Sequence, residues 1–145
     1  MSDGAQKIGS PEAAREELSR RADAIEGGYE MMLAYAAQGL ASDQGAANSS
    51  QLREHLQRFE AALTGLSQTY RDCAAVLGVG PADALNNFLK VLDSDAAATQ
   101  AALRLVLGQP GISSQMIDNI NASIHVRALL TDVFVVDEIL KASHS

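Results

Sequence analysis

The sequence predicts an all-α chain, an antiparallel up-down-up-down four-helix bundle with a short flexible N-terminal tail, on three observations. Apolar residues recur at alternating spacings of four and three along most of the 145 residues, the period of an amphipathic helix. The breaks in that rhythm are few and short, which favours antiparallel neighbours. The residue palette suits packed helices: 47% is hydrophobic but only 4% aromatic, Trp is absent, and 3 prolines leave long helices unbroken.

Residues 1–9 are polar and Gly-containing and read as a flexible tail, leaving 10–145 as one helical domain. Ser10-Pro11-Glu12 reads as a helix start: Ser10 as N-cap, Pro11 at the first helical position, Glu12 complementing the dipole. The first helix is expected from Pro11 to Leu40, with Leu18, Ala22, Ile25, Tyr29, Met32, Ala36 and Leu40 in one stripe. Glu16–Arg20 and Glu17–Arg21 form i,i+4 pairs on its wet side. "ASDQGAANSS" reads as a loop ending in an N-cap within Asn48 to Ser50. The second helix is expected from Ser50 to Leu77 on Leu52, Leu56, Phe59, Leu63, Leu66, Tyr70, Cys73 and Leu77. "GVGP" ends it, with Gly80 as cap and Pro81 opening the third helix, Pro81 to Leu107, whose polar "DSDAAATQ" centre suggests a kink or break near Ser94. "GQPG" closes the third helix. The fourth runs from Ser113 to Ala142, with Ile112 and Ile117 spaced for a hydrophobic staple. Its "VFVV" is β-prone but is outvoted by the helical period around it. Four helices of about 27–31 residues, roughly 40–46 Å each, match in length.

Composition also bounds function. A net charge of −7 without a basic patch argues against nucleic acid and against an anionic membrane surface. The most apolar region, Ile124 to Leu140, is interrupted by His125, Arg127, Asp132 and Asp137 and does not span a bilayer. The N-terminus lacks an apolar signal core, and the lone Cys73 forms no internal disulfide and fits the cytoplasm.

No catalytic set emerges. The Glu-x-x-His pattern of di-iron bundles is absent: Glu54 and His55 are adjacent, and Ala122 stands three before His125. No His pair has zinc or haem spacing, so neither metal nor cofactor is expected. Cys73 lies on the second helix's stripe and reads as a buried thiol. "GVGP" lacks the Lys-Ser/Thr of a phosphate loop. Asn86, Asn87, Asn119 and Asn121 read as solvent-facing, with a polar contact within the bundle as the alternative, and Asp137-Glu138 as a solvated pair. Tyr29, Met32, Tyr70 and Phe88 make a candidate ligand pocket between helices.

Two helices carry apolar residues on more than one side. With Leu18 at 0° and 100° per residue, Ala24, Gly27, Met31 and Ala34 fall at about 160–240°, a small-residue back that lets another helix approach. Gly27-Gly28 costs about 1 kcal/mol per glycine relative to Ala unless close contact repays it. On the fourth helix, Ile117, Ile120, Ile124, Ala128, Val135 and Ile139 form one face. Ala122, Val126, Leu129, Val133, Val136 and Leu140 form another, roughly 150° away. A bundle buries one face per helix, so the second should be covered by a neighbouring subunit, by a partner protein, or by a different internal packing in which the fourth helix is central. The expected interface is therefore Gly27, Met31 and Ala34 with Val126, Leu129, Val133, Val136 and Leu140, Asp132 and Asp137 forming its wet rim. The reading is a non-catalytic accessory protein (an adaptor, chaperone or regulatory subunit) that meets a protein partner, its own copy as a homodimer, or both. The alternative is a small-molecule-binding bundle.

Overall fold

The computed structural model describes residues 8–142. Within them the chain is all-helical, without a strand: α1 (Pro11–Ala36), α2 (Ser49–Ala62), α3 (Leu66–Leu77), α4 (Ala82–Leu107), α5 (Ser114–Ala122) and α6 (Ile124–Ala142). α1 packs against α2, α3 and α5, while α4 packs against α2, α3 and α6. Most of the expected tail lies outside the described residues, and Ile8 at its end already leans on the core.

The expected starts of the first and fourth helices hold. Ser10 Oγ accepts from Ala13 N at 3.1 Å with Pro11 following. Ser113 Oγ accepts from Met116 N at 3.0 Å, and Ile112 and Ile117 of the staple are both buried. Four other boundaries are corrected. α1 ends at Ala36, one turn early. α4 runs unbroken through Ser94. The cap of α3 is Gly78, whose φ of +71° is the left-handed conformation a C-terminal glycine supplies, and α4 begins after Pro81. The pair expected between Glu16 and Arg20 forms instead from Glu17, which holds both Arg20 and Arg21.

The second and fourth helices are each broken in two. Between α2 and α3 the chain passes through Gly65 at φ +69°. Carbonyls freed there find partners on other helices. Arg21 Nη1 of α1 donates to Ala62 O at 2.9 Å and Thr64 O at 2.8 Å. Gln100 Nε2 of α4 reaches Glu60 O at 3.0 Å and Thr64 Oγ1 at 2.9 Å. The break is thus satisfied by side chains from both flanks.

Between α5 and α6 stands Ser123, extended at φ −69°, ψ 145°, its Oγ accepting from Val126 N at 3.3 Å. This break resolves the two-faced fourth helix. Before it, Ile117 and Ile120 are buried, on α5 against α1. After it, Val126, Leu129, Val133, Val136 and Leu140 are buried. One helix with two apolar stripes is in fact two helices, each burying a different stripe.

That settles where the expected α6 interface lies. Val126, Leu129, Val133, Val136 and Leu140 are at most 1% exposed and form part of the chain's own core. The flanking Asp132 and Asp137 are buried with them and do not form a wet rim. What α6 leaves outside is the remnant of the other stripe, Ile124, Val135 and Ile139, together with Phe134.

The paired glycines of α1 also divide. A Cβ on Gly28 would lie 2.7 Å from Phe59 Cβ, so α2 crosses α1 there at a distance only glycine permits. A Cβ on Gly27 would meet only His55 Cδ2, at an ordinary 3.7 Å. The close approach is therefore internal and sits at Gly28.

Candidate functional site

The site is built from one side of α1 and one side of α6. Glu26, Tyr29, Glu30 and Leu33 share a face of α1 by their spacing of three and four. Leu130 and Phe134, four apart, stand opposite on α6. Together the six line an open groove of about 450 Å³. Leu130 is buried at its floor, while Leu33 and Phe134 are 47% and 53% exposed. Leu33 and Phe134 thus bring two large, half-exposed apolar side chains to one groove.

The acidic residues of the groove are free of compensation. Neither Glu26 nor Glu30 forms an ion pair with a described residue, unlike Glu17, Glu54 and Glu60. Beneath, Asp137 accepts from Tyr70 Oη at 3.3 Å. Burial pushes the Asp137 carboxyl up to about 6, with Lys141 and the Tyr70 hydrogen bond opposing and Glu26 adding to the rise. Burial, with Asp137 next, holds the Tyr70 hydroxyl far above its ordinary range. The expected solvated pair Asp137-Glu138 is thus split: Asp137 is buried and bonded, and Glu138 alone faces out.

Elsewhere the polar groups serve structure. Asp43, 1% exposed in the loop after α1, accepts from Arg53 Nε at 2.7 Å, Ser49 Oγ at 2.8 Å and Ile112 N at 2.7 Å. The Arg53 hydrogen bonds hold its carboxyl far below the usual range. Arg53 also donates to Leu107 O and Gln109 O, tying the loop after α4 to the loop after α1. Tyr35 Oη donates to Ile112 O, and Ser114 Oγ donates to Tyr35 O while accepting from Leu40 N. Sequence reading missed this clamp: Asp43 and Ile112 lie in loops, no period ties them to Arg53 or Tyr35 on their helices, and the only signal was an Asp inside a loop. A second depression of about 370 Å³ lies beside it, lined by Ala36, Gly39, Leu40, Ala41, Ser113, Ser114, Gln115 and Asp118.

Of the expected ligand pocket, Tyr29 lines the α1–α6 groove, Met32 and Tyr70 are packed into the core, and Phe88 is half-buried on α4. The four do not surround one cavity, because Met32 and Tyr70 fill the space they were expected to line. Of the expected α1 interface, Gly27 faces His55 of α2, Met31 leans on the core and Ala34 is exposed. Cys73 is buried beside Ala14 O, and burial pushes its thiol up to about 11, unsuited to attack at neutral pH. Asn121 is buried and not solvent-facing, while Asn86, half-buried, accepts from Arg71 Nε, a polar contact between α3 and α4. No group of three or more His, Cys, Asp or Glu among the described residues is placed to hold a metal. No described helix is long and apolar enough to cross a membrane.

The chain matches no protein-family model, no curated protein and no solved structure.

Proposed function

We propose that this protein is a non-catalytic helical accessory protein whose working surface is the groove between α1 and α6. The observation that carries the reading is the pair Leu33 and Phe134, half-exposed on adjacent helices over a buried Leu130. Each is already half-buried, so covering it gains roughly half of the 1.5–3 kcal/mol of full burial, about 1 kcal/mol per side chain. In this reading the six helices act as four rods, α2 with α3 and α5 with α6 each forming one broken rod of an antiparallel bundle. The bundle is then a rigid platform, and the groove its contact face. The buried, unreactive Cys73 suits a reducing cytoplasm.

In-cell photocrosslinking tests the reading. A benzophenone amino acid in place of Phe134 should give a discrete protein adduct. The same group in place of exposed Asp93 on α4 should not. Equal, diffuse labelling from both positions would count against a protein-contact role.

A further inference from the structure

We propose that the occupant of the α1–α6 groove is a cationic amphipathic helix, an inference that rests on the protein-contact reading above. Its apolar seam would lie on Tyr29, Leu33, Leu130 and Phe134. Lysines or arginines one turn apart on its flank would meet Glu26 and Glu30.

Three observations select this occupant. First, every charged group lining the groove is acidic, and neither Glu26 nor Glu30 is paired with a described residue. On a helix wheel exposed Asp23 falls on the same side of α1 as Glu30, which extends the acidic ridge. Second, Glu26 and Glu30 are four residues apart, about 5–6 Å between Cβ atoms, the spacing at which a second helix presents its own i,i+4 pair. An extended strand, with same-side residues roughly 7 Å apart, fits that ladder less well. Third, the register of α6 opposes a second copy of this chain. Arg127 and Lys141 each stand seven residues from Phe134, within about 20° of it around the helix. A twofold contact of α6 with its own copy centred on Phe134 sets Arg127 against the copy's Lys141 if antiparallel. If parallel, it sets Arg127 against Arg127 and Lys141 against Lys141. Either arrangement places like charges together at both ends of the seam. The same two cations would repel basic residues on the occupant's α6 side, so its lysines or arginines lie on the α1 flank, against Glu26 and Glu30.

The test uses the full chain and two labelled helical peptides of about 18 residues, long enough to hold a helix. Both carry the same leucine seam, one flanked by lysine and the other by glutamate. Fluorescence anisotropy should show the lysine peptide binding, with affinity falling as salt rises. Phe134→Ser with Leu33→Ser should abolish binding while circular dichroism still shows the helical signal and a cooperative melt at a modestly lower temperature, since both side chains are half-exposed. Glu26→Lys with Glu30→Lys should weaken the lysine peptide by about tenfold, two flanking ion pairs' worth, and admit the glutamate peptide. Asp83→Lys with Asp93→Lys on α4 changes net charge equally and should have no effect.

If the α4 control weakens binding as much as the groove variant, the attraction is bulk charge and the proposal is overturned. If the glutamate peptide binds wild type as well as the lysine peptide and both need Phe134, the cationic occupant is wrong while the contact surface stands. If light scattering finds a wild-type dimer that Phe134→Ser splits, the occupant is a second copy. A discrete adduct from position 134 in cells, without lysine-peptide binding, would also overturn the occupant and leave the protein-contact reading intact.

Discussion

Replacing Asp132 by Asn should stabilise this protein at neutral and alkaline pH. Asp132 sits on α6, 6% exposed, with one carboxyl oxygen lacking any hydrogen-bond partner. Burial, then the hydrogen bond and charge of Asp95 on α4, push its carboxyl from 3.8 up to about 7. The folded state therefore holds a proton that the unfolded chain releases near pH 4. The penalty is absent below that pH, grows as pH rises toward 7, and is full above it. At 1.36 kcal/mol per pH unit that rise corresponds to a penalty on the order of 2–4 kcal/mol. Asn keeps the shape, carries no charge, and can donate to Asp95. Urea unfolding followed by circular dichroism should show Asp132→Asn more stable by about 2 kcal/mol at pH 8 and little changed at about pH 3. Asp95→Asn should relieve part of the same penalty, and the double variant should gain less than the sum. Wild-type stability should itself fall between about pH 4 and 7, helped by Asp137, which is raised to about 6 in the same direction. A wild-type stability that climbs over that range, or an Asn variant weaker than wild type at pH 8, would refute the reasoning.

Three further outcomes follow from the packing. Gly28→Ala should cost about 1–3 kcal/mol, because its Cβ meets Phe59, whereas Gly27→Ala should be neutral or gain up to about 1 kcal/mol; thermal melts of the two variants check the order. Arg53→Ala should cost about 3–5 kcal/mol by leaving Asp43 buried and unpaired. Because the Asp43 carboxyl is depressed, its contribution is present above pH 4 and lost as pH falls, so the Arg53→Ala deficit measured by urea unfolding should shrink toward pH 2. Leu129→Asp with Val133→Asp should abolish the helical circular dichroism signal; a folded, helical product would contradict their burial in the core.

How far the site was legible depends on the kind of signal each part sends. The groove residues Tyr29 and Leu33 belong to a helix that its own period announces, and Phe134 stood in a segment whose surplus of apolar residues was visible. Which stripe of α6 would be covered was not legible. A stripe of Val126, Leu129 and Val133 and a stripe of Ile124, Val135 and Ile139 are equally apolar in sequence. The Asp43–Arg53–Ile112 clamp was invisible because its partners are 10 and 69 residues apart and no period links them.

The helical class and the caps at Ser10 and Ser113 follow from the sequence alone, because they depend on neighbours within one or two turns, as does the acidic, Trp-free composition, which needs no neighbours at all. Only the tertiary structure decided that Gly65 and Ser123 are breaks. A break costs backbone hydrogen bonds, and it is tolerated where something distant restores them. At Gly65 the restoring groups are Arg21 and Gln100, which arrive from α1 and α4. At Ser123 the compensation is apolar: α5 lays Ile117 and Ile120 on the α1 side, and α6 turns Val126 through Leu140 inward. Both gains are realised only when the helices meet, so no local pattern encodes them.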